Sequence, residues 1–193
     1  MARPKEFDDR AVLEAAVECF WNWGFVATSV RDLGDRMGIG SASLYNAFGD
    51  KRTLFAKALE HYLDNSVRER ISRLERQRLP KDAIKAFFAE VIERSLKDPD
   101  RRGCMLVNSA LEVAPHDADL GATISRYLEE IRSFFERNIS AARSDGAAAG
   151  QHSARDLSRL LLGVLLGIRV LARSQPNRAL LDGVARPALS LLD

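Results

Sequence analysis

The chain has 193 residues, 46% of them hydrophobic and 29% charged, a composition too rich in Leu, Val and Phe for a disordered protein. With 29 basic against 27 acidic side chains the net charge is only +2, so a nucleic-acid partner has to be argued from where the charges stand, not from their sum. The longest apolar run, Leu160 to Ile168, is closed by Arg159 and Arg169 and is far short of the roughly 20 residues a bilayer requires. No apolar stretch follows the basic residues of the N-terminus, and Cys19 and Cys104 form neither a disulfide framework nor a zinc site. A cytoplasmic protein with no membrane partner is expected.

Apolar residues recur at spacings of three and four along the chain, and alternating β-branched runs between turn signals are missing, so the fold class expected is all-α with about nine helices. The first helix begins near Asp8 or Asp9, where Phe7 and Val12 stand as a hydrophobic staple around an Asp8 cap. It ends at Gly24, a residue suited to the left-handed conformation. A short second helix follows a Thr28 cap and turns Val30, Leu33 and Met37 inward. Gly38-Ile39-Gly40 makes a tight turn, and a short third helix carries Leu44, Tyr45 and Phe48. Asp50 caps a fourth helix that runs on to about Arg78, where Leu79-Pro80 forces a break. The six basic side chains between Arg68 and Lys81 read as a solvated face of that helix.

A fifth helix spans about 81–97, and Asp98-Pro99-Asp100-Arg101-Arg102-Gly103 is a polar loop. The sixth runs from Cys104 to about Val113. A long seventh starts at Asp117 or Asp119 and ends near Ser144, and Asp145 to Gln151 reads as a loop. Ser153 caps the eighth, and Asn177 starts a ninth that must bend or break at Pro187. The expected division is a DNA-reading head at 6–66, with its motif at about 29–48, and a body at 67–193.

Residues 28–48 have the order of a helix-turn-helix. Leu33, Met37, Ile39, Leu44 and Phe48 hold its two helices against the first, which leaves Ser41, Ala42, Ser43, Asn46 and Ala47 outside. None of these is bulky enough to keep the helix out of a major groove. An Asn amide bridges the edge of adenine, Ser reaches phosphate or base, and Ala meets a thymine methyl. Lys51 opens the next helix, where charge and free backbone N–H groups both suit a phosphate. Because residues 1–53 are slightly acidic overall, binding would rest on Arg3, Lys5, Arg31, Lys51 and Arg52 facing the phosphates. Spacing alone leaves a generic three-helix bundle open.

The wording of the segment goes further. Gly24-Phe25, Thr28-Ser29-Val30-Arg31-Asp32-Leu33, Gly38-Ile39-Gly40 and Ser43-Leu44-Tyr45-Asn46-Ala47-Phe48-Gly49-Asp50-Lys51 closely resemble the tetracycline-repressor (TetR) family of bacterial transcription regulators, over about residues 7–63. The resemblance implies an all-helical homodimer with a DNA-reading head and an effector-binding body, no cofactor, and double-stranded operator DNA and a small-molecule effector as partners. It implies phosphate contacts for Tyr45 and Lys51, and further phosphate or base contacts for Thr28, Ser41, Ala42, Ser43 and Asn46. Many relatives carry Lys, Arg or Pro where Ser41 stands, and a capping Ser or Thr where Gly40 stands.

The eighth and ninth helices carry the most apolar surface, on more than one face, and Gly163 and Gly167 would admit a close neighbour. The resemblance makes this a dimer interface, with Leu161, Val164, Leu165, Ile168, Leu180 and Leu181 as its expected residues. It also implies an effector pocket among the middle helices, for which Tyr62, Phe87, Phe88, Val91, Cys104, Met105, Asn108, Tyr127, Ile131 and Phe134 are candidates, though each also fits an ordinary core. Cys104 follows Arg101-Arg102-Gly103 at a helix start, a setting that activates thiols. The stretch Gly103-Cys104-Met105-Leu106 resembles a segment of TetR relatives that sense electrophiles or oxidants, and a small buried residue is the alternative. An enzyme is not expected: no phosphate loop, nucleophile motif or supported carboxylate pair is present, and the carboxylates of His116-Asp117-Ala118-Asp119 read as helix caps, not metal ligands. A helical adaptor would explain the apolar eighth helix but not the Ser and Asn face beside Lys51.

Overall fold

A computed structural model describes residues 9–144 and 152–193. Arg3, Lys5, the Phe7–Asp8 staple and cap, and the loop expected at 145–151 lie outside them.

The first helix, α1 (Asp9–Ala27), does not stop at Gly24. Its backbone leaves helical geometry there, at φ 84° and ψ 173°, and one further turn follows. The helix α2 (Val30–Met37) is capped by Ser29 rather than Thr28: the Ser29 hydroxyl accepts from the Asp32 amide, and the Asp32 carboxylate accepts from the Ser29 amide, a reciprocal capping box. The Thr28 hydroxyl instead donates to the Gly24 carbonyl at 2.6 Å. Gly38, at φ 67°, turns the chain by donating its amide to the Gly34 carbonyl. After it, α3 (Ser41–Phe48) begins at Gly40 with no side-chain cap.

Asp50 caps α4 (Lys51–Leu63) through the Thr53 amide. As expected the rod continues past the head, but through a π-helical turn, Asp64–Arg68, before α5 (Glu69–Gln77). Asp64, Asn65 and Ser66 are poor helix formers, which explains a register fault at this point. Then come α6 (Pro80–Lys97), α7 (Met105–Glu112), α8 (Ala118–Ser144), α9 (Ala154–Ser174) and α10 (Arg178–Ser190). With the α4–α5 rod taken as one, nine helices stand among the described residues, and no strand. Ser153 and Asn177 are the caps expected for α9 and α10. Pro187 does not break α10. It sits in the final turns, and Gly183, the residue four back whose carbonyl loses its donor, is exposed to water.

One apolar core runs from Val12 to Leu192. In the head, Leu33, Leu44, Phe48, Leu54 and Phe55 close the space between α1 and α4. In the body, Phe87 and Phe88 of α6 meet Phe134 and Phe135 of α8 at centroid distances of 5.3 to 5.6 Å. α7 is shared by both parts, packing on α1 and α4 on one side and on α8 and α9 on the other. Gly34 marks the tightest point of the head, because a Cβ there would lie 2.8 Å from the Ile39 carbonyl oxygen. Gly34→Ala is therefore expected to cost about 2 kcal/mol by forcing the α2–α3 turn apart, a loss to be read in thermal unfolding; an unchanged midpoint would mean that the turn yields freely.

Candidate nucleic-acid interface and its links to the body

On α3, burial of Leu44 and Phe48 turns Ser41, Ala42, Ser43, Tyr45 and Asn46 to the outside, with Tyr45 49% exposed. Ala47 is half-buried and packs on the core. Arg31 on α2 is also exposed, with only a loose 3.8 Å approach to Asp35. Six of the eight residues expected at a DNA contact are thus exposed.

The other two are drawn inward. Thr28 is fully buried, its hydroxyl committed to Gly24, so its side chain leaves the set of contacts. Lys51 spends two of its three donors on the carbonyls of Phe25 (2.7 Å) and Thr28 (2.9 Å), and its ammonium lies 4.4 Å from the centre of the Phe25 ring. The carbonyls at the end of α1 have no helical partner and need such a donor. Lys51 therefore ties α1 to α4, and the residue itself is half-buried. Arg52, expected to face phosphate, instead clamps the turn before α8, bonding both carboxylate oxygens of Asp117 at 2.6 and 2.8 Å and Asp119 at 2.9 Å. Those hydrogen bonds hold the Asp117 carboxyl well below the usual range.

A contact that the sequence did not single out joins head to body. The break at Gly24 frees the amides of Phe25 and Val26, and both donate to the carboxylate of Glu112, at 3.1 and 2.8 Å. Gly24 is required by its positive φ, and a Cβ there would lie 2.6 Å from that carboxylate, which would have to move aside. The last residue of α7 thus holds the end of α1. The only advance signal was a lone acid ending an otherwise uncharged helix.

The expected pocket is filled. Phe87, Phe88, Val91, Met105, Tyr127, Ile131 and Phe134 are all buried and pack on one another as core. Only Phe88 also borders a described cavity, a groove between α6 and α10. Asn108 is half-buried, its amide donating to the Arg102 carbonyl at 2.9 Å, which pins the 98–103 loop to α7. Cys104 stands buried at the start of α7, makes no side-chain cap to it, and accepts a 3.6 Å hydrogen bond from the Tyr62 hydroxyl. Burial first, then the neighbouring thiol, pushes the Tyr62 phenol up to about 12. Arg102 is turned away to Glu18, Asp98 and the Trp21 ring, so this geometry favours the buried reading of the cysteine. The basic run of α5 is not simply solvated either: Arg70 is 3% exposed and lies 3.3 Å from Glu90.

On α9, Leu161, Leu165 and Ile168 face the protomer's own core, as does Leu181 on α10. Four of the six expected interface residues are therefore corrected to core. The stripe left outside runs one face over: Leu160 (43% exposed), Gly163 and Val170 (46% exposed), with Val164 and Gly167 half-buried beside them. Both glycines have open space where a Cβ would be. The run was apolar on both faces, so periodicity alone could not say which was shared.

Comparison with known proteins agrees with this geometry. A family signature described as bacterial regulatory proteins, tetR family, matches residues 12–58, and one described as tetracyclin repressor-like, C-terminal domain, matches 80–187. The HTH-type transcriptional regulator YezE of Bacillus subtilis is 33% identical over the whole of both chains. The HTH-type transcriptional repressor ComR of Escherichia coli is 26% identical over 98% of this chain and 90% of its own length. Among solved structures, a cysteine mutant of the TetR family regulator CifR complexed with 26-base-pair operator DNA superposes with a TM-score of 0.86 at 30% identity, covering 97% of this chain and 98% of that one. No described helix is long and apolar enough to cross a membrane.

Proposed function

The chain belongs to the tetR family of bacterial regulatory proteins and is a DNA-binding transcriptional regulator; from that premise we propose that it acts as a homodimeric repressor released from operator DNA by a small-molecule effector. The observation that carries this reading is the open face of α3, whose short polar and methyl side chains suit base edges while Tyr45 and Arg31 flank them for phosphate. One head presents a single short helix, too little for a specific site, whereas a two-fold dimer reads half-sites about one helical turn apart. The outer stripe of α9 is the surface proposed for that dimer. Such a regulator works in the cytoplasm, where its DNA is.

Release follows from the links around α7. An effector shifts the equilibrium only by binding the non-operator arrangement better. α7 is short and is held between the 98–103 loop and the turn before α8. At one end it meets that loop through Asn108, and at the other it holds α1 through Glu112. A displacement of α7 therefore moves the α1 end, and with it the Lys51 tie and the placement of α3.

Tyr45→Ala is expected to weaken binding to all duplex sequences alike, by about tenfold, whereas Asn46→Ala relaxes preference at one base pair with a loss of about 1–3 kcal/mol there. Fluorescence anisotropy on operator variants at several salt concentrations checks both. Unchanged affinity and preference in both folded variants would remove α3 from the interface, and the lack of any salt-dependent binding to duplex DNA would favour a protein-binding adaptor.

A further inference from the structure

Between the end of α6, the 98–103 loop, α1 and α9 lies a cavity of about 270 Å³ with an unusual charge balance. Arg94, Lys97, Arg102 and Arg169 line it, against a single acid, Asp98. Arg102 already takes Asp98 and Glu18. Arg94 and Lys97 have no ion pair with any described residue, although their place in the last turn of α6 suits the helix dipole.

Arg169 has no such account. It lies in the interior of α9, is 8% exposed, and has one partner among the described residues, the neutral hydroxyl of Ser95 at 2.8 Å. That hydroxyl is itself donating to the Val91 carbonyl, which fixes it in place. A guanidinium withdrawn from water without a carboxylate is costly. Repulsion is felt nearby as well: burial first, then Arg94 and Arg169, bring the Arg70 guanidinium down to about 10 despite Glu90. The remaining wall includes the Trp21 ring and Pro99.

We propose that this cavity is the effector site of the regulator and that its ligand is a small organic carboxylate, held by Arg169 and Arg94 with its apolar part against Trp21. A planar carboxylate matches the guanidinium fork. Asp98 on the wall disfavours more highly charged anions, and the volume falls below that of drug-sized sites. The inference rests on the release reading above. It adds a route: an anion here competes with Glu18 and Asp98 for Arg102, whose carbonyl is held by Asn108, so occupancy is felt at once by α1 and α7.

The test uses Trp23→Phe protein, in which Trp21 is the sole tryptophan of the two and reports on the cavity. Acetate, butyrate, benzoate and the neutral benzamide are titrated against its fluorescence, with inorganic phosphate as competitor. At least one carboxylate is expected to saturate below about 1 mM, with benzamide failing to saturate at about tenfold higher concentration and with Arg169→Gln and Arg94→Gln each weakening binding by about tenfold or more. Arg94 is exposed, so its variant keeps the test valid where Arg169→Gln misfolds. No saturation by any of the three carboxylates, equal binding to both folded variants, or phosphate competing as well as the carboxylate overturns the proposal. A carboxylate that binds in this way but leaves DNA affinity unchanged upholds the carboxylate site, and overturns its role as effector site together with the release reading.

Discussion

Glutamate at both Leu160 and Val170 is expected to turn the proposed dimer into a monomer and to weaken operator binding by about a thousandfold, the scale on which tethering two half-site readers raises apparent affinity. Both side chains stand on the outer stripe of α9, more than 40% exposed in the protomer, beside two glycines whose faces are open. In a dimer they would be buried against their symmetry mates, so each charge would be desolvated without a partner, which costs several kcal/mol per ion. The protomer itself has no reason to unfold, because the inward face of α9 is carried by Leu161, Leu165 and Ile168. Sedimentation velocity with anisotropy on the same samples checks the prediction. A double variant that sediments and binds as the wild type places the dimer elsewhere.

Glu112→Ala carries the other large effect. It strips the acceptor from two backbone amides that the Gly24 break has already taken out of the helix. Charge-assisted hydrogen bonds of this kind are worth about 1.5–3 kcal/mol each when lost, before solvent repays part, so a net loss of about 2 kcal/mol or more is expected. For a chain of this size that lowers the unfolding midpoint by about 4–8 °C. Effector-driven release should also fade, since α7 no longer pulls on α1. Leu111→Ala, next door and 67% exposed, is the control that should change neither. A Glu112→Ala protein with wild-type midpoint and full release would sever the proposed link.

Helix order and the open face of α3 were legible because both depend on local rules. Apolar spacing places Leu33, Leu44 and Phe48 inward, and Gly38, Ser153 and Asn177 punctuate the chain as turn and cap chemistry requires. What escaped depends on partners distant in sequence. Thr28 and Ser29 are both caps on paper, and Ser29 takes the role with Asp32 three residues on while the Thr28 hydroxyl bonds the Gly24 carbonyl. Lys51 and Arg52 look like phosphate ligands until the α1 end and Asp117 are folded against them. The aromatic residues read as pocket lining are the ones large enough to fill it. Arg169 read only as the end of an apolar run, and its isolation appears once α6 brings Ser95 and Arg94 to it, with no carboxylate among the described residues within ion-pair reach.

Sequencing of genomic fragments retained by the purified protein at physiological salt shows whether two copies of α3 read operator DNA from a two-fold dimer. One enriched motif is expected, with inverted half-sites whose centres are about one helical turn, roughly 34–36 Å, or a multiple of it apart. Retained fragments sharing no motif, or sharing a single half-site without symmetry, would contradict it.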